Sequence, residues 1–118
     1  MNVANHIKIA DHFLEVYTKF QRLSKEREMR LIITWPVMAN NKMLDLSNKE
    51  HLIKFSNLRD KLLEHSIRIE CDPAQFILDI NLFWNTEFHT NTEGAILRSQ
   101  HLGNCLKEIT GQERKATL

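Results

Sequence analysis

The order of apolar and polar positions predicts a chain built mainly from helices. The densest apolar signal lies in residues 73–88. It follows a helix-start pair, Asp72-Pro73, and at helical spacing Phe76, Ile77, Ile80, Phe83, Trp84 and Phe88 form one broad stripe. Leu78 and Leu82 fall on the opposite side. A helix that is apolar nearly all round is buried on all sides, so the spacing predicts a central core helix over 73–89.

Two stripes also run side by side through residues 3–27. Val3, Ile7, Ala10, Leu14 and Tyr17 make one; Ile9, Phe13, Val16, Phe20 and Leu23 make the other. Together they are wider than a surface helix needs, which leaves two-sided burial within the domain or a row kept for a partner. A mixed charge run, 24–30, reads as a solvated helix end. Leu31-Ile32-Ile33-Thr34-Trp35 then reads as a short buried strand, or as the last turns of the first helix stopped by Pro36. A polar turn follows at 39–42. Ser47-Asn48-Lys49-Glu50 has the form of a capping box and predicts a helix over 48–65 with Leu52, Phe55, Leu58 and Leu62 inward. Residues 66–71 alternate as a half-buried strand does. Thr90-Asn91-Thr92-Glu93 gives a second capping box, for a helix over 91–110 with Ala95, Leu102, Leu106 and Ile109 inward and a stop near Gly111. The fold class expected is mainly α, about four helices with a possible small two-stranded β element. It is α+β, with one domain over 1–111 and a flexible tail over 112–118. If both strands form, the helix over 48–65 crosses between them and the pairing is parallel.

Composition narrows this picture. The chain has 118 residues, 42% hydrophobic and 26% charged, close to the globular norm. A net charge of +1 supplies no global field for a phosphate backbone, so nucleic acid is not favoured as a partner. No window is apolar enough for a transmembrane helix, and no signal peptide is evident. Cys71 and Cys105 fit no metal or redox spacing, and two free thiols suit a reducing cytosol, so the expected location is cytoplasmic.

Candidate chemistry is sparse. The glycines Gly94, Gly103 and Gly111 form no phosphate loop, and no paired-His metal motif lies on one helical turn. His101 and Cys105 share a helical face but are only two ligands, so no metal and no cofactor is expected. Lys19, Arg22, Lys25, Arg27 and Arg30 could line a basic stripe for DNA, interrupted by Glu26 and Glu28. Leu58-Arg59-Asp60-Lys61-Leu62-Leu63-Glu64-His65 carries an Arg, an acidic residue, four further residues and a His. At the level of this motif it resembles the signature of HEPN-domain ribonucleases, small helical domains that usually dimerise. The resemblance implies that Arg59 would stabilise phosphate charge and His65 would move the proton of an RNA 2′-hydroxyl, without metal. The alternating run 66–71 departs from that all-helical family.

The reading these features favour is a small protein-interaction protein with no catalysis of its own: an inhibitor, immunity protein, adaptor or regulatory subunit. Its partner is another protein, and a homodimer is expected, with Ile9, Phe13, Val16 and Phe20 as the contact row. The alternatives are the ribonuclease with Arg59 and His65, and a DNA-binding regulator.

Overall fold

The computed structural model describes residues 8–84, 86 and 88–117, with side chains as far as Gln112. Val3 and Ile7 of the first predicted stripe lie outside the described residues. Among those described, three α-helices and a two-stranded parallel sheet make an α+β chain: α1 (Asp11–Glu26), β1 (Met38–Asn40), α2 (Lys49–Glu64), β2 (Ile77–Asp79) and α3 (Thr92–Thr117). The chain divides into two compact units, each made of two segments. Unit 1 combines the residues up to Thr34 with Leu52–Glu70, and unit 2 combines Trp35–His51 with Cys71 onward.

In unit 1, α1 begins after Ala10, which supplies no capping side chain. It ends in a Schellman motif, which rules out its extension toward Pro36. Glu28 is left-handed (φ 54°), its N–H donates to the Lys25 carbonyl, and the Met29 N–H donates to the Ser24 carbonyl. α2 ends the same way. Ser66 is left-handed (φ 61°), its N–H reaches the Leu63 carbonyl, and the Ile67 N–H reaches Leu62. Leu62 and Ile67, the two positions whose apolar contact often accompanies this motif, are both buried. The predicted inner face of α2 is found: Leu52, Phe55 and Leu58 are half-buried and Leu62 is buried. The predicted strands 31–35 and 66–71 meet at one parallel bridge, Ile33 to Ile69, and the Glu70 N–H donates to the Ile33 carbonyl at 2.7 Å.

In unit 2, β1 and β2 pair in parallel with Met38, Ala39 and Asn40 opposite Ile77, Leu78 and Asp79. Ala39, Leu78 and Phe83 form a buried cluster, with Val37, Leu82 and Leu97 packed against it. The Trp35 indole N–H donates to the Cys71 carbonyl at 2.8 Å. Gly94, in the first turn of α3, lies so close to the Leu82 carbonyl that a Cβ would approach it to 2.5 Å. Absence of a side chain is what lets α3 dock on the 80–82 turn.

The core helix expected over 73–89 is not there. Pro73–Phe76 is a 3₁₀ turn, β2 follows, Ile80–Leu82 is a second 3₁₀ turn, and an antiparallel bridge joins Phe83 to Thr90. Asp72 does cap a start, accepting from the Ala74 N–H, but only of one turn. Asp79 then accepts from the Asn81 N–H, a local turn bond that competes with helix. Ile77 and Leu78 gain sheet partners and burial instead. The apolar segment is still central, since Phe76, Ile77, Leu78 and Phe83 are buried, but Ile80, Trp84 and Phe88 of the supposed stripe are exposed. Among the described residues three helices rather than about four result.

Both capping boxes shift by one residue. Asn48 Oδ1 accepts from the Glu50 N–H at the start of α2, while the Ser47 hydroxyl donates to Asp45. Asn91 Oδ1 accepts from the Gly94 N–H at the start of α3. α3 also runs on through Gly111 to Thr117, and its expected inner residue Ala95 is exposed. The thiols are not free: Cys71 and Cys105 form a disulfide, with Cα atoms 5.8 Å apart.

Candidate protein-binding surface

On α1 the residues at steps of three, four and three fall into adjacent rows. Leu14, Tyr17, Gln21 and Ser24 are half-buried and form one row. Phe13, Val16, Phe20 and Leu23 are exposed, at 40%, 36%, 56% and 42%. The half-buried row is therefore the wetter of the two, and the more apolar row, about 100° round the helix from it, is the exposed one. That is the reverse of what burial alone selects. No residue of α1 is fully buried, and no element packs broadly on it among the described residues. Phe13 and Tyr17 rings, 6.4 Å apart and 20° from coplanar, stack across the boundary between the rows.

Of the four expected contact residues, Phe13, Val16 and Phe20 share this outer row, and Leu23 extends it. Ile9 lies before the first residue of α1, in half-buried non-helical chain, and does not continue the row. Leu23 belonged to the stripe in the sequence; its solvent position was the part spacing could not supply.

The other expected sites are dispersed. Arg59 is half-buried on α2, and His65 is the exposed C-cap beyond its last turn. Six residues at about 100° each separate them by about 120° around the helix axis, so the two side chains leave different faces. Within the basic run, Lys19 and Arg22 line a shallow groove with Leu14, Glu15 and Thr18, a mixed-charge surface. Arg27 caps α1 and Arg30 lies past its end, so the five cations do not form one stripe. Cys105 is committed to the disulfide, and the His101 ring is hydrogen-bonded to the Gln75 carbonyl, so the pair offers no two free ligands. Among the described residues no group of three or more His, Cys, Asp or Glu is placed to hold a metal ion. No described helix is long and apolar enough to cross a membrane.

Unit 2 carries a smaller candidate. Pro36, Val37, Phe88, His89, Thr90 and Arg98 line an open groove, and the buried Nε of Arg98 has no hydrogen-bond partner among the described residues. Trp84, 73% exposed, lies on the same 83–90 loop, whose ends are joined by the Trp84 N–H to His89 carbonyl bond. Trp and Arg are the residue types that anchor interfaces, but unlike the α1 row these do not form one continuous apolar strip.

Comparison of the chain with protein-family models, with curated proteins and with solved structures finds no match.

Proposed function

We propose that this chain is a protein-binding protein that presents α1 to its partner, acting as an inhibitor, adaptor, immunity protein or regulatory subunit. One observation carries the reading: α1 leaves Phe13, Val16, Phe20 and Leu23 exposed while Gln21 and Ser24 are half-buried. A continuous apolar row held in solvent has a cost that a partner removes. Catalysis is not part of the reading, because Arg59 and His65 leave α2 on different faces.

The compartment follows the cysteines. Disulfides persist in oxidising environments, so the Cys71–Cys105 bond withdraws the support that two free thiols gave to a cytosolic setting.

The test is a photo-crosslinking phenylalanine analogue at position 20, with the same analogue at Glu15, on the other side of α1, as control. The expected result is a protein adduct in the native host from position 20 and none from position 15. Equal labelling, or none at 20, overturns the reading. RNA cleavage by the purified chain that disappears in His65→Ala would replace it with the ribonuclease.

A further inference from the structure

We infer that the α1 row is occupied by α1 of a second copy of this chain, running antiparallel. The inference rests on α1 being a protein-binding surface and names what binds there.

The warrant is the symmetry of the row. Phe13, Val16, Phe20 and Leu23 are spaced three, four, three, which reads the same from either end. Two such rows laid antiparallel about a two-fold axis near Thr18 set Phe13 opposite Leu23 of the other chain, and Val16 opposite Phe20. Each of the four layers then pairs one phenylalanine with one aliphatic residue, so every layer holds a similar volume, as close packing requires. Parallel pairing would set Phe13 on Phe13 and Phe20 on Phe20, alternating oversized layers with small ones. The spacing is also the three-and-four alternation of a left-handed helix pair.

The flanks fit the same arrangement. His12, Lys19 and Glu26 follow one another along one edge of the row. In an antiparallel pair like edges meet, so His12 faces Glu26 of the other chain twice over. The two Lys19 ammonium groups meet near the axis, the one unfavourable contact. A closed two-fold contact of this kind is isologous and leaves no apolar row free to propagate. With four contact residues per chain the seam is short, so association is reversible and concentration-dependent.

The experiment is sedimentation equilibrium of the purified, oxidised chain over a wide concentration range, joined to photo-crosslinking from position 13. A reversible monomer–dimer equilibrium is expected, with the position-13 adduct on the segment holding Leu23 of the partner copy. Phe20→Glu should yield monomer with an unchanged circular dichroism spectrum. If that variant aggregates, Val16→Asn is the second. Lys19→Ala should tighten the dimer by about two- to five-fold, because removing a like-charge contact at exposed positions is worth up to about 1 kcal/mol. A strict monomer at several hundred micromolar overturns self-pairing. So does a dimer that Phe20→Glu leaves intact. An adduct from position 13 to Phe13 overturns the antiparallel seat. The broader reading fails separately: a monomer that still crosslinks to a different host protein from position 20 keeps the binding surface and loses only its self-pairing.

Discussion

The two units solve the burial problem unequally. Unit 2 buries Trp35, Ala39, Phe76, Ile77, Leu78, Phe83, Cys105 and Ile109, pairs two strands and closes a disulfide. Among the described residues unit 1 buries three large apolar side chains, Leu62, Ile67 and Ile69, and leaves Phe13, Phe20, Leu23, Met29, Ile53 and Leu63 in solvent, while unit 2 for its part exposes Met43, Ile80, Trp84, Phe88 and Ile96. Within unit 1 the helix ends differ too: the α2 cap closes on two buried residues, whereas Met29 at the α1 cap is exposed. The apolar content of unit 1 is not low. It is placed outward, and outward placement of large side chains on a regular row is how an interface is prepared in advance.

If that contrast is real, equal truncations must have unequal effects. Phe76, fully buried in unit 2, should lose about 3–5 kcal/mol when changed to Ala, while Phe20→Ala on α1 should change monomer stability by under about 1 kcal/mol. Chemical denaturation of the two variants at a concentration where the chain is monomeric decides it. Similar losses would erase the distinction between the units. Next in size is the disulfide. It closes a separation of 34 residues, and its removal by Cys71→Ser with Cys105→Ser should cost about 3–4 kcal/mol in the chain-entropy account. Hydrogen exchange should show the loss in residues of unit 2 first; protection lost first around Leu62 and Ile67 would contradict it. Gly94→Ala forces a Cβ against the Leu82 carbonyl and should destabilise by about 1–3 kcal/mol, read as a lower melting temperature, whereas Gly103→Ala meets open space and should not. Asn91→Ala and Asn48→Ala should each cost about 1 kcal/mol as cap losses. Thr90→Ala and Ser47→Ala should cost less, and the reverse ranking would put the helix starts one residue earlier.

The smallest effect is acid-linked. The Ser47 hydroxyl, then the Ser47 N–H, hold the Asp45 carboxyl below its ordinary value of 3.8. A depressed folded value means a stabilising contribution that is present above the unfolded value and lost as the pH falls through the folded one. Carboxyl NMR titration should find the Asp45 midpoint below 3.8, moving up in Ser47→Ala. A midpoint at or above 3.8 in the unmodified chain removes this local anchor of the loop before α2.

The helices α1 and α2 were legible because their apolar residues recur at helical steps over many turns. The outer row of α1 was legible for the same reason, although which of its two rows faces solvent is a tertiary fact. The segment 73–89 misled because adjacent apolar residues satisfy helix and buried strand alike. Ile77 and Leu78 became strand only because Met38 and Ala39, far away in sequence, offered backbone partners. The caps slipped by one because Ser and Asn stand side by side at 47–48, as Thr and Asn do at 90–91, and both residue types can cap. The disulfide was hidden because two cysteines 34 residues apart look the same whether free or joined until the fold brings them within reach.

The interleaving of the units has its own consequence. The chain enters and leaves each of them across three junctions, near residues 34, 51 and 70. No single uninterrupted fragment of the polypeptide therefore contains either one whole without part of the other. A protease cut in the loop at 41–44 would divide unit 2 between two pieces, yet those pieces would still hold Met38–Asn40 on one and Ile77–Asp79 on the other, each needing the other's strand. Truncation cannot deliver α1 with its own complete unit and nothing else. Reassembly from two complementary fragments, rather than excision, is the way to separate what each unit does.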